Sequence, residues 1–203
     1  MAIGLRTRLA VALAGGAAVL SAPAAGQNFS DGYKFLQAVE KEDQGEAQKL
    51  IEKSPTIVDT RDLTDGHTAL HIAVKKHAYR WLSYLLGKGA NPNVADKHGV
   101  TPLMLASQMG FVDAVVALAR SGAKVDDTNE TGETPLISAV HARDIPMIRV
   151  LLAAGANPDR ADNSGRTSRD YAKLMGGPVL AEIELNDKNK VGKKSAQTYG
   201  PTL

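Results

Sequence analysis

The chain has 203 residues and no cysteine, which excludes disulfide staples, thiolate catalysis, cysteine-ligated zinc or iron-sulfur centres and lipid anchoring through cysteine. Hydrophobic residues make up 43% and charged residues 23%, but aromatic residues only 4%, so the core must be built from Ala, Leu, Val and Ile, with little ring surface left for stacking bases. The formal net charge of +2 originates at the two ends of the chain rather than in its body.

Residues 1–26 open with Arg6 and Arg8, continue as the uncharged apolar run Leu9–Leu20 and finish in small residues, with an A-x-A pattern at Ala22–Ala24. The pattern predicts a secretory signal peptide cleaved near Ala24 to Gly26, because the apolar run is shorter than the roughly 20 residues a helical membrane span needs. Retention as an N-terminal anchor is the alternative. The Ala-rich run leans bacterial, and Arg6 and Arg8 are not adjacent, which favours the general secretory route over the twin-arginine route. The expected destination is the periplasm or the medium, with no stable membrane insertion once the signal is removed. Removal takes away two of the 24 basic residues and no acid, leaving 22 against 22.

From Gly66 onward the chain repeats itself every 33 residues. Gly66, Gly99, Gly132 and Gly165 share this spacing, as do Thr68, Thr101, Thr134 and Thr167, then Ala73, Ala106, Ala139 and Ala172. Each unit predicts two helices. The Thr is a helix N-cap, and Pro102 and Pro135 sit just inside, where the missing N–H costs nothing. The Ala lets the next helix approach. Leu82, Leu85 and Leu86, then Val115 and Leu118, then Ile148, Leu151 and Leu152 form the apolar stripe of a second, amphipathic helix. Gly89, Gly122 and Gly155 end it in the left-handed conformation, and the Asn-, Asp- and Gly-rich links between units read as extended turns or hairpins.

The string G-x-T-P-L, the helix pair, the G-A-x-x-N/D and the 33-residue return resemble the ankyrin repeat. Gly132 to Leu136 and Gly155 to Asp159 stand closest to that pattern, while Ala69 replaces its Pro, Met104 and Ile137 its His, and Arg169 its Leu. The resemblance covers about residues 28–185 and implies an all-α solenoid of five helix pairs with hairpin-like loops. Its expected limits are 27–186, with units at about 30–62, 63–95, 96–128, 129–161 and 162–186. The first and last depart from the repeat as caps with a polar outer face would; Leu50, for instance, lies 35 rather than 33 residues before Leu85. Residues 187–203 hold four lysines and few apolar residues, which predicts a flexible basic tail. With its surplus of three positive charges set aside, the body carries minus three, so nucleic acid is not an expected partner.

Five histidines raise the question of metal or catalysis. His67 and His71 have i, i+4 spacing, but no third ligand lies near them in sequence. His71 stands where the resemblance implies a hydrogen bond to the turn of the neighbouring unit. His77 falls between two helices, and His98 and His141 face outward. No G-x-S-x-G, H-E-x-x-H, P-loop or dinucleotide fingerprint occurs, so neither catalytic residues nor a cofactor are expected.

What the resemblance implies instead is protein binding by a monomeric, non-catalytic module, through its loop tips and the inner face of the first helices. Carried over by register, the binding residues are Lys97, His98 and Val100 on one tip, Glu130, Thr131 and Glu133 on the next, and Asn163, Ser164 and Arg166 on the last. The helices add Lys75, Lys76, Gln108, Met109 and His141. This surface has a basic end at Lys75, Lys76 and Lys97 and an acidic middle at Glu130 and Glu133. Two alternatives are a periplasmic metal or small-ligand carrier using His67, His98 and His141, and a secreted effector acting on host proteins.

Overall fold

The computed structural model describes residues 30–198, with side chains as far as residue 189. The expected signal peptide lies outside these residues. Within them ten α-helices form five pairs, with no strand beyond an isolated bridge between Ala161 and Thr167. The pairs are α1 (Asp31–Glu40) with α2 (Gln44–Lys53), α3 (Ala69–Lys75) with α4 (Tyr79–Gly87), α5 (Pro102–Gln108) with α6 (Val112–Arg120), α7 (Pro135–His141) with α8 (Ile145–Ala153), and α9 (Ser168–Met175) with α10 (Gly177–Thr198). A short 3-10 helix, Pro55–Asp59, follows α2.

The first helix of each repeat begins where the capping chemistry places it. Thr101 and Thr134 accept from the backbone N–H of Met104 and Ile137 at 3.3 and 3.2 Å, and Thr167 accepts from that of Asp170 at 3.1 Å. Each then packs on the first helix of the next unit, in the order α1, α3, α5, α7, α9. Ala73, Ala106, Ala139 and Ala172 are all buried at these crossings, where a larger side chain would hold the helices apart. The second helices bury the expected stripe, including Leu82, Leu85, Val115, Leu118, Ile148 and Leu151. Gly89, Gly122 and Gly155 terminate them with φ of 86°, 86° and 98°.

The turn within each helix pair also needs a positive φ. Gly110 supplies it at 68°, but Glu42, His77 and Arg143 adopt 58°, 50° and 54° with side chains attached. A non-glycine residue held there costs about 1–3 kcal/mol unless its surroundings compensate. His77 recovers part of this by meeting the Phe111 ring edge-on, with centroids 4.7 Å apart, so it ties its own unit to the next.

At the C-terminal end, α10 runs from Gly177 to Thr198. Val179 and Ile183 bury against the stack, and two ion pairs fasten the helix. Arg149 donates to both carboxylate oxygens of Glu182 at 3.0 and 2.8 Å, and Arg169 bridges Asp159 and Asp187, each at 2.7 Å. Arg169, which departs from the repeat pattern, is thus one of the residues that hold the last helix.

Leu118 is fully buried in a central second helix. Leu118→Ala is expected to cost about 2–5 kcal/mol in denaturant unfolding, whereas alanine at exposed Lys173 should change stability by less than about 0.5 kcal/mol. Equal losses at the two positions would contradict the packing described.

Candidate functional site

The loops between units are built one upon another. In each, an Asx side chain gathers the backbone N–H groups of its own turn. Asp96 accepts from His98 and Val100 at 2.8 and 2.9 Å, Asn129 from Thr131 and Glu133 at 3.0 Å each, and Asp162 from Ser164 and Arg166 at 2.8 and 3.1 Å. Each tip then donates a backbone bond to the one before: Lys97 N–H to Asp65 O at 2.8 Å, Glu130 to His98 at 3.1 Å, and Asn163 to Thr131 at 3.1 Å. A β-carbon on Gly132, at φ 76°, would lie 2.6 Å from the Asn163 backbone nitrogen. That glycine is therefore a requirement of stacking as well as of turn geometry.

The first tip is different. Asp62 accepts from Thr64, Asp65, Gly66 and His67, but it sits four residues before its glycine, where Asp96 and Asn129 sit three before theirs. The extra residue is Leu63, which is 94% exposed. Beside it, Tyr33, Leu36 and Ile72 line a hollow of about 400 Å³ at the N-terminal end of the inner face. Sequence register missed this tip; the extra residue between Asp62 and Gly66 was the available signal.

Six nominated residues come together. Glu130, Thr131, Glu133, His141, Asn163 and Ser164 line one trough of about 540 Å³ with Asp162 and Tyr171, which were not nominated. His141 Nδ1 lies 3.3 Å from Glu133, and its ring meets the Tyr171 ring edge-on at 4.4 Å. The Tyr171 hydroxyl donates to Asp162 at 2.7 Å, and the Arg166 guanidinium lies 5.9 Å from the Tyr171 ring centre. Bonds from Ser164 and then Tyr171 hold the Asp162 carboxyl well below the usual carboxylate range, so the trough keeps its negative charge. Extending the register of Ile72 and Leu105 by 33 residues leads through Ser138 to Tyr171, the signal that would have found it.

The basic end is less available than its sequence suggests. Lys97 Nζ donates to the Leu63 and Thr64 carbonyls at 2.6 and 2.8 Å, and Lys75 Nζ lies 3.3 Å from His67 Nδ1. Lys76 caps the C-terminus of α1 by donating to Glu40 O at 2.6 Å, with Glu42 at 3.7 Å. It belongs to the far ends of the helices, away from the tips. Gln108 and Met109, at the C-terminus of α5 in the register of Lys75 and Lys76, are exposed, while Val100 is half-buried with its carbonyl engaged by His71.

The histidines divide by environment. His71 Nδ1 accepts from the Thr68 N–H at 3.1 Å and Nε2 donates to Val100 O at 2.9 Å, which fixes the neutral tautomer with its proton on Nε2. Burial depresses its pKa to about 4. His67, His98 and His141 sit on different units beside different carboxylates, so the carrier's three ligands are not assembled. Among the described residues no His, Asp and Glu group is arranged to hold a metal, and no helix is long and apolar enough to cross a membrane. Ser164 bonds to Asp162 rather than to a histidine, and Ser107 Oγ donates to Pro135 O at 2.9 Å across a unit boundary.

Two family models of ankyrin repeats match the chain, over residues 35–129 and 118–172. Among curated proteins it is similar to the E3 ubiquitin-protein ligase XB3 of Oryza sativa subsp. japonica, 32% identical over 47% of this chain and 21% of that protein. It also resembles the putative ankyrin repeat protein FPV031 of Fowlpox virus, 37% identical over 38% of this chain and 23% of that one. A third relative is the glycerophosphocholine phosphodiesterase gde1 of Schizosaccharomyces pombe, 43% identical over 32% of this chain and 6% of that one. The matched region thus spans less than a quarter of each relative.

His71 gives a pH signature. Its folded pKa of about 4 lies below the unfolded value of about 6.5. The unfolded chain therefore binds the extra proton first, and stability is lost as pH falls through this window. The full loss is roughly 3 kcal/mol. Asp62, Asp162 and Asp170, whose pKa values are lowered, lose their contribution only below about pH 4. His71→Gln keeps an acceptor and a donor but does not titrate, so its denaturant midpoint should fall far less between pH 7 and pH 4.5 than that of the parent. Identical losses would refute the assignment.

Proposed function

Because this chain belongs to the ankyrin repeat family, we propose that it is a non-catalytic module that binds a protein partner on the concave face formed by its tips and inner helices. Ankyrin repeats generally serve protein–protein interaction, and the observation that carries the reading here is the bonded ladder of tips. Its tip backbones are already joined one to the next, so recognition falls to the side chains that they carry. The trough around Glu133, Asp162 and Tyr171 combines stable negative charge, which steers a basic partner, with a tyrosine wall, a residue type in which binding energy concentrates.

The leader pattern of residues 1–26 supports action outside the cytoplasm, in the periplasm or the medium, with the mature chain starting between Ala25 and Asn28. Intact-mass measurement of exported protein checks this, and retention of Met1 would contradict it.

The binding face is tested with the mature protein as bait in periplasmic extract. Glu130→Lys combined with Glu133→Lys should reduce capture of a specific partner by about ten-fold or more, and the parent interaction should weaken with salt. Arg120→Glu, exposed on the outer helix α6, should leave capture unchanged. Lys76 is unsuited to such a test, because reversing its charge would also remove the cap on α1. Loss of capture in Arg120→Glu with retention in the double variant would move the site to the convex side.

A further inference from the structure

At the helix ends remote from the tips, the turn between α1 and α2 faces the turn between α3 and α4 across a cleft of about 610 Å³. The opening follows from the irregular first unit. α4 packs on α6 and α6 on α8, but the contact between α2 and α4 is weaker, as the 35-residue offset between Leu50 and Leu85 implies. Three aromatic residues of α4, Tyr79, Trp81 and Tyr84, line the cleft. Val112, Ala114 and Ala117 occupy the matching positions of α6, and Ile145, Met147 and Val150 those of α8, so stacking alone does not demand rings there.

The chemistry of the cleft is incomplete by itself. The Tyr84 hydroxyl is buried without a hydrogen-bond partner, and burial pushes its pKa up. Arg80 on the rim is exposed and takes part in no ion pair among the described residues, while the neighbouring Lys76 is held by Glu40 and Glu42. The Trp81 and Tyr84 rings stand nearly perpendicular, 84° apart with centroids at 5.6 Å, and Tyr79 is 46% exposed.

We propose that this cleft is a second binding site, for an extended proline-rich peptide segment that carries carboxylates. Perpendicular rings leave notches that fit pyrrolidine rings, and a polyproline II chain has no internal hydrogen bonds, so its carbonyls are free to accept. One of them supplies the acceptor that Tyr84 lacks once the ring, edge-on to Trp81 and beneath Lys88, turns its buried hydroxyl toward the cleft. Arg80 selects carboxylates beside the prolines. Trp81, only 9% exposed, forms a floor rather than the open flat face on which a sugar stacks. The site lies at the opposite end of the helices from the concave face and does not depend on the function assigned to that face.

Trp81 is the single tryptophan, so its emission reports directly on occupancy. The mature chain is titrated with a capped peptide of roughly ten residues in which prolines alternate with glutamates. A saturable emission change is expected. Arg80→Glu should weaken it roughly five-fold or more. Tyr84→Phe should weaken it up to about ten-fold while leaving the melting temperature equal or higher, because it removes an unbonded hydroxyl. Glu133→Lys, on the concave face, should leave it unchanged. The proposal is overturned by no saturable change up to about 1 mM peptide, by equal binding when glycine replaces proline, or by undiminished binding in Arg80→Glu. Saturation by a cello-oligosaccharide in place of the peptide would overturn it too.

Discussion

Everything in this solenoid follows from the need for each loop tip to accept the backbone of the next. The bond from Glu130 N–H to His98 O and its equivalents require two backbones to lie in contact, and Gly66, Gly99 and Gly132 supply both the positive φ and the missing β-carbon. Once the tips are in register, the Thr-capped helices start at the same height and their small Ala residues face each other. The apolar stripes of the second helices then close the back of the stack. No unit could bury its own apolar face alone, so folding is distributed over interfaces rather than held in one centre.

Much of this was legible because it is periodic. The caps at Thr101 and Thr134, the left-handed glycines at 89, 122 and 155 and the five helix pairs each repeat a local rule at a fixed spacing. What escaped was aperiodic. Nothing in the helix-capping pattern indicates that Arg169 reaches both Asp159 and Asp187, or that Arg149 meets Glu182 one unit later, the bonds that tie α10 to the stack. Lys76 looked like a twin of Lys75 because they are neighbours in sequence, yet consecutive helical residues point in different directions. Leu63 was hidden by a one-residue insertion that shifts the Asx residue but leaves the glycine in register.

The same division separates framework from function. His71 joins two units through Val100, whereas Met104 and Ile137 at the matching positions are fully buried and Ser107 makes its own link to Pro135. Interfaces of one architecture are thus held by different local means, which leaves many surface side chains free of the stack, while Lys76 and Lys97 bond to carbonyls of the preceding unit. The inner face exploits this freedom, passing from an apolar hollow at Leu63 to the charged trough at Glu133 and Asp162.

The contrast between the two ends gives the array a mechanical polarity. Its final helix is clasped by two arginine bridges and buried apolar residues, whereas the first pair meets its neighbour through a shortened contact between second helices. The looser joint makes the N-terminal unit the expected starting point of local opening, with α10 the last to release, like a zipper with one end stitched. For a chain drawn through a narrow channel from its N-terminus, the pair that enters first is also the one that yields most readily.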